Sequence, residues 1–162
     1  MSKSKLQIKL KPQIPKIGII VGSKSDLVVI EKAEKQLKEF GIAYEITIAS
    51  AHRTPKKVEA YARKAENKYD LIIAAAGMAA ALPGVVAANT ALPVIGVPIH
   101  SPSLSGHDAL FSIVQMPPGV PVASVAIDGA RNAAILAAQI LALKYSGLRK
   151  KLKELKDALA KG

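Results

Sequence analysis

Five short, largely apolar runs recur along the chain, and stretches with helical periodicity separate them. The runs cover 17–22, 42–49, 71–76, 93–97 and 121–127. Continuous apolar runs of this length are typical of strands that are buried on both faces of a sheet. Helices between such strands make the strands parallel, with right-handed crossovers. The pattern therefore predicts an α/β fold, a three-layer αβα domain around a doubly wound parallel sheet.

Helix signals stand at the ends of the intervening segments. Ser25 or Asp26 is a suitable N-cap for the first helix, and Gly41 is a typical residue to end it. Thr54 and Pro55 provide a capping residue and a first-turn proline for the second helix, which we expect to run to about residue 67. Further helices are expected at about 79–90, 108–115, 129–144 and 147–160.

The expected helix at 129–144 is apolar on nearly every side, which is typical of a helix buried on more than one face. We expect it to pack, with the helix that follows, against another subunit. The alternative is that the chain's own C-terminal extension covers it. The chain divides into a basic extension at 1–16, an α/β domain at 17–145 and a basic amphipathic helix at 146–162.

The net charge of +11 is concentrated at the two ends of the chain. Residues 1–16 carry five lysines and no acid, residues 144–162 carry a net +5, and residues 17–143 are left with +1. A solvated tail and a solvated helix face explain this distribution better than nucleic-acid or membrane binding. Apart from Tyr145, both ends lack the aromatic residues on which bases stack. We expect neither nucleic acid nor a membrane as a partner.

Several classes of site are excluded by residues that the chain lacks. It has no cysteine, so disulfides, thiolate metal sites and a cysteine nucleophile are ruled out. It has no run long enough to span a membrane and no apolar N-terminal core of a secretory signal, so we expect it in the cytoplasm. Neither GxxxxGK[ST] nor a G-x-G-x-x-G after the first strand is present. A receiver domain would need an aspartate where Ala74–Ala76 stand, and a flavodoxin would need a threonine-rich first turn.

Two polar turns carry the candidate chemistry, at Gly22–Asp26 and Ser50–Pro55. Each follows a strand and begins a helix, and the carboxyl ends of parallel strands meet at one edge of the sheet. Helix N-termini attract anions, and arginine binds phosphate oxygens with a two-pronged guanidinium. Asp26 suits ribose hydroxyls. The turns predict a site for a phosphorylated sugar, with His52 as the titratable group.

Each of these residues also has a simpler explanation when it is taken alone. Ser25 and Asp26 can act only as caps, and a single histidine such as His52 is more often structural. The coincidence of both turns at one edge favours the ligand site over these explanations. His100 and His107 lie in a serine-rich loop without a carboxylate cluster, so a metal site is disfavoured. No carboxylate or nucleophile lies beside His52 in the sequence, which argues against a hydrolytic triad.

The order of several short motifs makes the chain resemble a known family over about residues 17–143. It resembles the N5-carboxyaminoimidazole ribonucleotide mutase family of purine biosynthesis, also called the catalytic subunit of phosphoribosylaminoimidazole carboxylase. Five motifs occur in the family's order: Gly22-Ser23-Lys24-Ser25-Asp26, Ser50-Ala51-His52-Arg53-Thr54-Pro55, Ala80-x-Leu82-Pro83-Gly84, Gly96-Val97-Pro98 and Ser112-Ile113-Val114-Gln115-Met116-Pro117.

The resemblance implies a flavodoxin-like fold, a homo-octamer, and no metal or organic cofactor. It implies a reaction that moves a carboxylate from the exocyclic nitrogen of an aminoimidazole ribonucleotide to its C4 carbon, through bound carbon dioxide. The family's catalytic histidine corresponds to His52. The substrate-binding positions correspond to Ser23, Ser25, Asp26, Ser50, Ala51, Arg53, Gly77, Ala79, Ala80 and Leu82.

The third motif departs from the family's pattern. The family usually reads Gly-Ala-Gly-Gly-Ala-Ala-His-Leu-Pro-Gly where this chain has residues 75–84. Ala81 stands at the family's second pocket histidine, and Ala75 and Met78 stand at two of its glycines. Three interpretations stay open: the same reaction, direct carboxylation of aminoimidazole ribonucleotide with carbon dioxide, or an inactive or engineered scaffold of the same fold.

Overall fold

A computed structural model describes residues 14–162 and contains one five-stranded parallel sheet. The strand order is β2-β1-β3-β4-β5, which is the flavodoxin-like order. The predicted α/β class is therefore confirmed. The strands are β1 (Lys16–Val21), β2 (Ala43–Ile48), β3 (Leu71–Gly77), β4 (Val94–Ile99) and β5 (Ala123–Ser124).

Helices cover both faces of the sheet. One hydrophobic cluster joins the sheet to α1, α5 and α6, and a second joins it to α2, α3 and α4. A 3-10 turn at Lys24–Asp26 precedes the first helix. The helices are α1 (Leu27–Phe40), α2 (Pro55–Ala65), α3 (Leu82–Ala87), α4 (His107–Val114), α5 (Ala130–Leu141) and α6 (Gly147–Ala160).

Successive side chains of the central strands point to opposite faces of the sheet, so each of these strands contributes residues to both clusters. Ile19 faces α1 and α5, and Ile20 faces the opposite helix layer, and both are fully buried. Ile19 lies in register between Ile46 of β2 and Ile73 of β3. Apolar side chains on both faces are what a strand between two helix layers requires, which is why the runs of β1, β3 and β4 are apolar throughout. The edge strand β2 is only half-buried along its length, and its run includes the polar Glu45 and Thr47.

Two predicted elements are shorter than expected. The helix predicted at 79–90 spans only Leu82–Ala87, because Met78 has a φ of 55° and tight turns follow it up to Ala81. A left-handed residue cannot continue a right-handed helix. The strand predicted at 121–127 is reduced to Ala123–Ser124, which pairs with β4 on one side only.

The predicted caps act differently from expectation. Asp26 and Thr54 occupy N-cap positions, but neither side chain caps its helix. The Asp26 carboxylate accepts a hydrogen bond from the Ser23 N–H, and the Thr54 hydroxyl bonds to the backbone of Ser50. These side chains stabilise the turns before the helices, and those turns belong to the site described below.

The chain itself covers much of α5. Its alanines pack against the sheet and α1, and α6 adds the buried Leu148 to the same cluster. Lys151 on α6 also donates to the Phe40 carbonyl at 2.8 Å, at the end of α1. Covering by the chain's own C-terminal helix is thus observed, and the contact of α5 with another subunit stays a prediction.

The structure describes the two predicted basic terminal segments to different extents. The basic extension predicted at 1–16 lies largely outside the described residues, and β1 begins at Lys16. The basic amphipathic helix predicted at 146–162 is α6. Between residues 14 and 162, no helix combines the length and the apolar character that crossing a membrane requires.

Candidate functional site

A cavity of about 640 Å³ lies at the carboxyl edge of the sheet, where the loops after β1, β2, β3 and β4 converge. This is the edge at which open parallel sheets bind ligands. Every residue that the sequence predicts for the site lines this cavity: Ser23, Ser25, Asp26, Ser50, Ala51, His52, Arg53, Gly77, Ala79, Ala80 and Leu82. The structure brings all eleven together, and their roles stay predictions.

Hydrogen bonds within the first turn hold its side chains in place. The Ser23 N–H donates to the Asp26 carboxylate at 2.9 Å, and the Ser25 hydroxyl donates to the Ser23 hydroxyl at 3.0 Å. Burial raises the pKa of Asp26, against the opposing effect of the Ser23 and Ser25 hydrogen bonds and the Arg53 charge. The turn therefore presents two serine hydroxyls beside a carboxylate that the fold has largely removed from water.

The second turn is tied to the first by Arg53. Its guanidinium donates to the Gly22 carbonyl at 3.2 Å, and its backbone N–H donates to the Ser50 hydroxyl at 3.2 Å. Arg53 forms no salt bridge with a carboxylate of residues 14–162. A guanidinium with five N–H groups and one carbonyl partner keeps donors for an anion in the cavity.

His52 lies on the same turn, beside Arg53. It is exposed and lines the cavity. The turn that carries it is held at both ends, because the Thr54 hydroxyl accepts from the Ser50 N–H at 3.0 Å. An imidazole on a turn braced in this way can exchange a proton with a bound ligand without rearrangement of the backbone.

The loop after β3 forms an apolar wall of the cavity. Met78 is in the left-handed region, and the N–H of Ala80 donates to its carbonyl at 2.8 Å. Ala80 and Leu82 are each 2% exposed, so they contribute backbone and packing more than free side-chain surface. Ala81 contributes only a methyl group. This wall can contact a ligand through its apolar surface and through its backbone N–H and C=O groups.

The sequence reasoning missed the contribution of the loop after β4. No site residue is predicted there, whereas Ile99 at the end of β4 and His100, Ser101 and Pro102 after it all line the cavity. The strand order puts β4 beside β3, with Ile99 in register with Gly77. The signal available in the sequence was the position of His100 directly after an apolar run.

The second histidine of that loop lies apart from the cavity lining. The His107 ring bonds to the Leu104 carbonyl at 2.9 Å, at the beginning of α4. In the part of the chain that the structure describes, no three His, Cys, Asp or Glu side chains lie close enough together to hold a metal ion. His100 lines the cavity and His107 does not.

Comparison with known proteins gives consistent matches across the domain. A family model described as AIR carboxylase matches residues 16–162. The N5-carboxyaminoimidazole ribonucleotide mutase of Pyrococcus abyssi is 56% identical over 149 residues, which are 91% of this chain and 86% of that protein. The protein of the same name from Thermotoga maritima is 58% identical over 147 residues, 90% of this chain and 86% of that protein.

A longer protein and a solved structure also match. The phosphoribosylaminoimidazole carboxylase of Saccharomyces cerevisiae is 53% identical over 141 residues, 86% of this chain and 25% of that protein. The crystal structure of Treponema denticola PurE superposes with a TM-score of 0.83 at 35% identity, covering 91% of this chain and 92% of that one. The solved structure therefore has the same fold as the one described above.

Proposed function

This chain belongs to the AIR carboxylase family, and from that premise we propose that it interconverts N5-carboxyaminoimidazole ribonucleotide and 4-carboxy-5-aminoimidazole ribonucleotide in purine biosynthesis. The observation that carries the proposal is the convergence of four loops on one cavity, which has anion-binding donors on the first two loops and an imidazole among them. Relatives more than half identical over the domain bear the mutase name.

The phosphate and ribose of the substrate fit the first two turns. The Ser23 and Ser50 hydroxyls accept hydrogen bonds within the turns and keep their own O–H groups for the ligand, and the Ser25 hydroxyl lies beside that of Ser23. Arg53 is a cation without a carboxylate partner among residues 14–162. Both turns precede helices, whose N-terminal N–H groups favour anions. Asp26 accepts hydrogen bonds and suits a ribose hydroxyl. We infer that these groups bind the substrate and hold its base in the cavity.

His52 performs the proton transfers of the reaction. In the forward direction it gives a proton to the exocyclic nitrogen as the nitrogen–carboxyl bond breaks and carbon dioxide forms. The ring carbon C4 then bonds to that carbon dioxide, and His52 takes the C4 proton, which restores the aromatic ring. The histidine ends in the protonation state in which it began. One imidazole can serve both steps because it donates and accepts protons near neutral pH.

The apolar wall has a matching role in this reaction. Carbon dioxide released in open solvent would diffuse away or hydrate before C4 could attack it. The segment from Gly77 to Leu82, which carries only apolar side chains, lines the same cavity as His52. With the substrate bound, a largely apolar surface helps to keep water from a reactive intermediate.

Activity assays with two different substrates distinguish the proposed reaction from its alternatives. Purified protein is mixed with N5-carboxyaminoimidazole ribonucleotide, and separately with aminoimidazole ribonucleotide and bicarbonate, and the C4-carboxylated product is followed by ultraviolet absorbance. Turnover of the first substrate alone is the expected result. Turnover of the second at low bicarbonate indicates direct carboxylation, and absence of turnover in both overturns the proposal in favour of a non-catalytic scaffold.

We also infer that the chain assembles as a homo-octamer, and we retain the prediction of a cytoplasmic protein without a nucleic-acid partner. Large apolar side chains are exposed on and near the site edge, with Met78 at 64%, Leu104 at 59% and Phe111 at 59%. Contact with other copies would remove these surfaces from water. Light scattering tests the assembly: the expected particle contains eight 17.0-kDa chains, and a monomer contradicts it.

A further inference from the structure

The cavity has a second imidazole that the proposed reaction leaves unused. His100 follows β4, whereas His52 and Arg53 follow β2. Along the sheet the order β2-β1-β3-β4 separates these loops by three strand spacings, or about 14 Å at roughly 4.8 Å each. The phosphate-binding donors all lie on the β1 and β2 side, so a ligand bound there extends its other end towards β4.

The backbone at His100 is held by a strained residue. Asp128 has a φ of 57°, a left-handed conformation that aspartate adopts more readily than most side chains. Its carboxylate accepts from the His100 N–H at 3.0 Å, and its own N–H donates to the Pro98 carbonyl at 2.8 Å. These two bonds lie on either side of Ile99 and tie the backbone at His100 to Asp128.

Polar side chains on the β4 side of the cavity are scarce. The loop after β3 presents Ala79, Ala80 and Ala81. Next to His100, the Ser101 hydroxyl is buried and has no hydrogen-bond partner among residues 14–162. A buried hydroxyl without a partner is unfavourable unless a ligand or water completes it. His100 and Ser101 therefore form the polar end of a cavity wall that is otherwise apolar.

We propose that His100 binds the carboxylate group that the reaction moves, and so determines specificity for carboxylated over uncarboxylated ribonucleotides. This inference rests on the proposed function. Both substrate and product carry a carboxylate on the imidazole portion, at the end away from the phosphate. An imidazole N–H donates a hydrogen bond to a carboxylate, and a charged acceptor strengthens such a bond. His100 makes and breaks no covalent bond, and Asp128 is its positioning residue.

Binding measurements test the role of His100 without relying on turnover. Calorimetry compares the wild type, His100→Ala and the matched control His107→Ala, each with 4-carboxy-5-aminoimidazole ribonucleotide and with aminoimidazole ribonucleotide. His100→Ala is expected to lose about tenfold in affinity for the carboxylated ligand and less than about twofold for the other, since a hydrogen bond to a charged group is of this size. The control is expected to change neither.

Two outcomes overturn the inference, and a third concerns the proposed function. Equal affinity of His100→Ala and the wild type for the carboxylated ligand shows that His100 does not bind the carboxylate. An equal loss for both ligands shows that the variant disturbs the cavity as a whole. If the wild type binds neither ligand, the proposed function itself fails.

Variants of Asp128 provide a second test of the preference for the carboxylated ligand. Asp128→Gly keeps the left-handed backbone but removes the acceptor for the His100 N–H, whereas Asp128→Asn keeps both. The glycine variant is expected to lose part of the preference for the carboxylated ligand, and the asparagine variant to retain it. If the glycine variant retains the full preference, Asp128 does not position His100.

Discussion

The two edges of the sheet use charge in different ways. Towards the amino ends of the strands, charged groups pair with one another: Glu45 contacts Lys16 and Lys68, and Asp70 accepts from Lys144 at 2.9 Å. At the carboxyl edge, Arg53 contacts a backbone carbonyl and forms no salt bridge within residues 14–162. Paired charges are already satisfied, so a cation in a cavity without a carboxylate partner among residues 14–162 supports the proposal that the ligand binds at the carboxyl edge.

The carboxyl groups at the two edges also differ in the direction in which their pKa values are shifted. Hydrogen bonds from Lys16, Lys68 and Tyr69 lower the pKa of Glu45 to about 2. Burial raises the pKa of Asp70, but its bonds from Lys144, the Lys16 N–H and Tyr145 outweigh burial and hold it below its usual value. At the carboxyl edge, burial dominates and raises the pKa of Asp26. One edge is organised to stabilise carboxylates, and the other places a carboxylate where little water reaches it.

The largest effect that separates the edges is expected from His52→Asn. Removal of the proposed general acid/base is expected to lower kcat by about 10³-fold. Affinity for ribonucleotide and the unfolding temperature stay unchanged, because His52 is exposed and packs in neither hydrophobic cluster. Steady-state kinetics, calorimetry and thermal unfolding measure the three quantities. Retained turnover would remove His52 from the reaction.

Arg53→Ala tests whether the unpaired cation binds phosphate. Affinity for a 5′-phosphorylated ligand is expected to fall about 30-fold, the size of a strong charge-assisted interaction. The corresponding nucleoside without phosphate is expected to bind as before. Arg63→Ala is the matched control, since Arg63 pairs with Glu59 on the exposed side of α2. An unchanged Kd for the phosphorylated ligand places the phosphate elsewhere.

At the opposite edge, Asp70→Asn is expected to reduce stability and leave catalysis intact. Asp70 accepts from the Lys16 N–H, the Lys144 ammonium and the Tyr145 hydroxyl, and weakening these bonds costs about 1–2 kcal/mol. Denaturant unfolding at pH 7 measures the loss, and kcat/KM serves as the control. A fall in kcat/KM without a loss of stability would contradict the division between the edges.

The pH dependence of that loss follows from the lowered pKa of Asp70. A carboxyl group whose folded-state pKa is depressed contributes stability above its unfolded pKa, near 4, and loses it as the pH falls through the lower folded value. The difference between the wild type and Asp70→Asn should therefore be full at neutral pH and shrink below about pH 4. Unfolding curves at several pH values measure this trend, and a difference that grows in acid would show the opposite sign.

A smaller effect on stability concerns Tyr61, whose buried hydroxyl has no hydrogen-bond partner among residues 14–162. Tyr61→Phe removes that hydroxyl and is expected to raise stability by up to about 1 kcal/mol. Tyr69→Phe is the matched control: the Tyr69 hydroxyl donates to Glu45 at 2.9 Å, so its loss is expected to be destabilising. Equal effects of the two variants in a denaturant titration would show that the Tyr61 hydroxyl is satisfied in solution.

Gly18→Ala sharpens the same point about Tyr61. A Cβ at residue 18 would lie 2.3 Å from the Tyr61 hydroxyl oxygen and 2.8 Å from the Tyr69 ring. The substitution is expected to be destabilising by about 1–3 kcal/mol through overpacking. In a Tyr61→Phe background the loss should be smaller but not absent, because the Tyr69 contact remains. A double-mutant cycle measures the coupling.

Much of the fold was predictable because its signals are local. The runs that contain Ile19, Ile20 and Ile73 are apolar at every position, and only a strand covered on both faces needs that pattern. Gly41 ends α1 in the left-handed conformation that such glycines adopt. The helix before Leu82 and the strand after Ser124 were overpredicted, since a positive φ at Met78 and a one-sided edge strand leave little trace in composition.

For the site, the sequence by itself determined which turns follow strands, and thereby grouped Ser23, Asp26, His52 and Arg53, because parallel strands end at a common edge. Tertiary structure alone decided that Thr54 bonds to the backbone of Ser50 instead of capping α2, and that Arg53 joins the two turns. It also decided that His100 lines the cavity on the β4 side, with its backbone N–H bonded to Asp128. These contacts depend on strand order and on pairs of residues up to 31 positions apart, and hydrophobic periodicity carries no information about either.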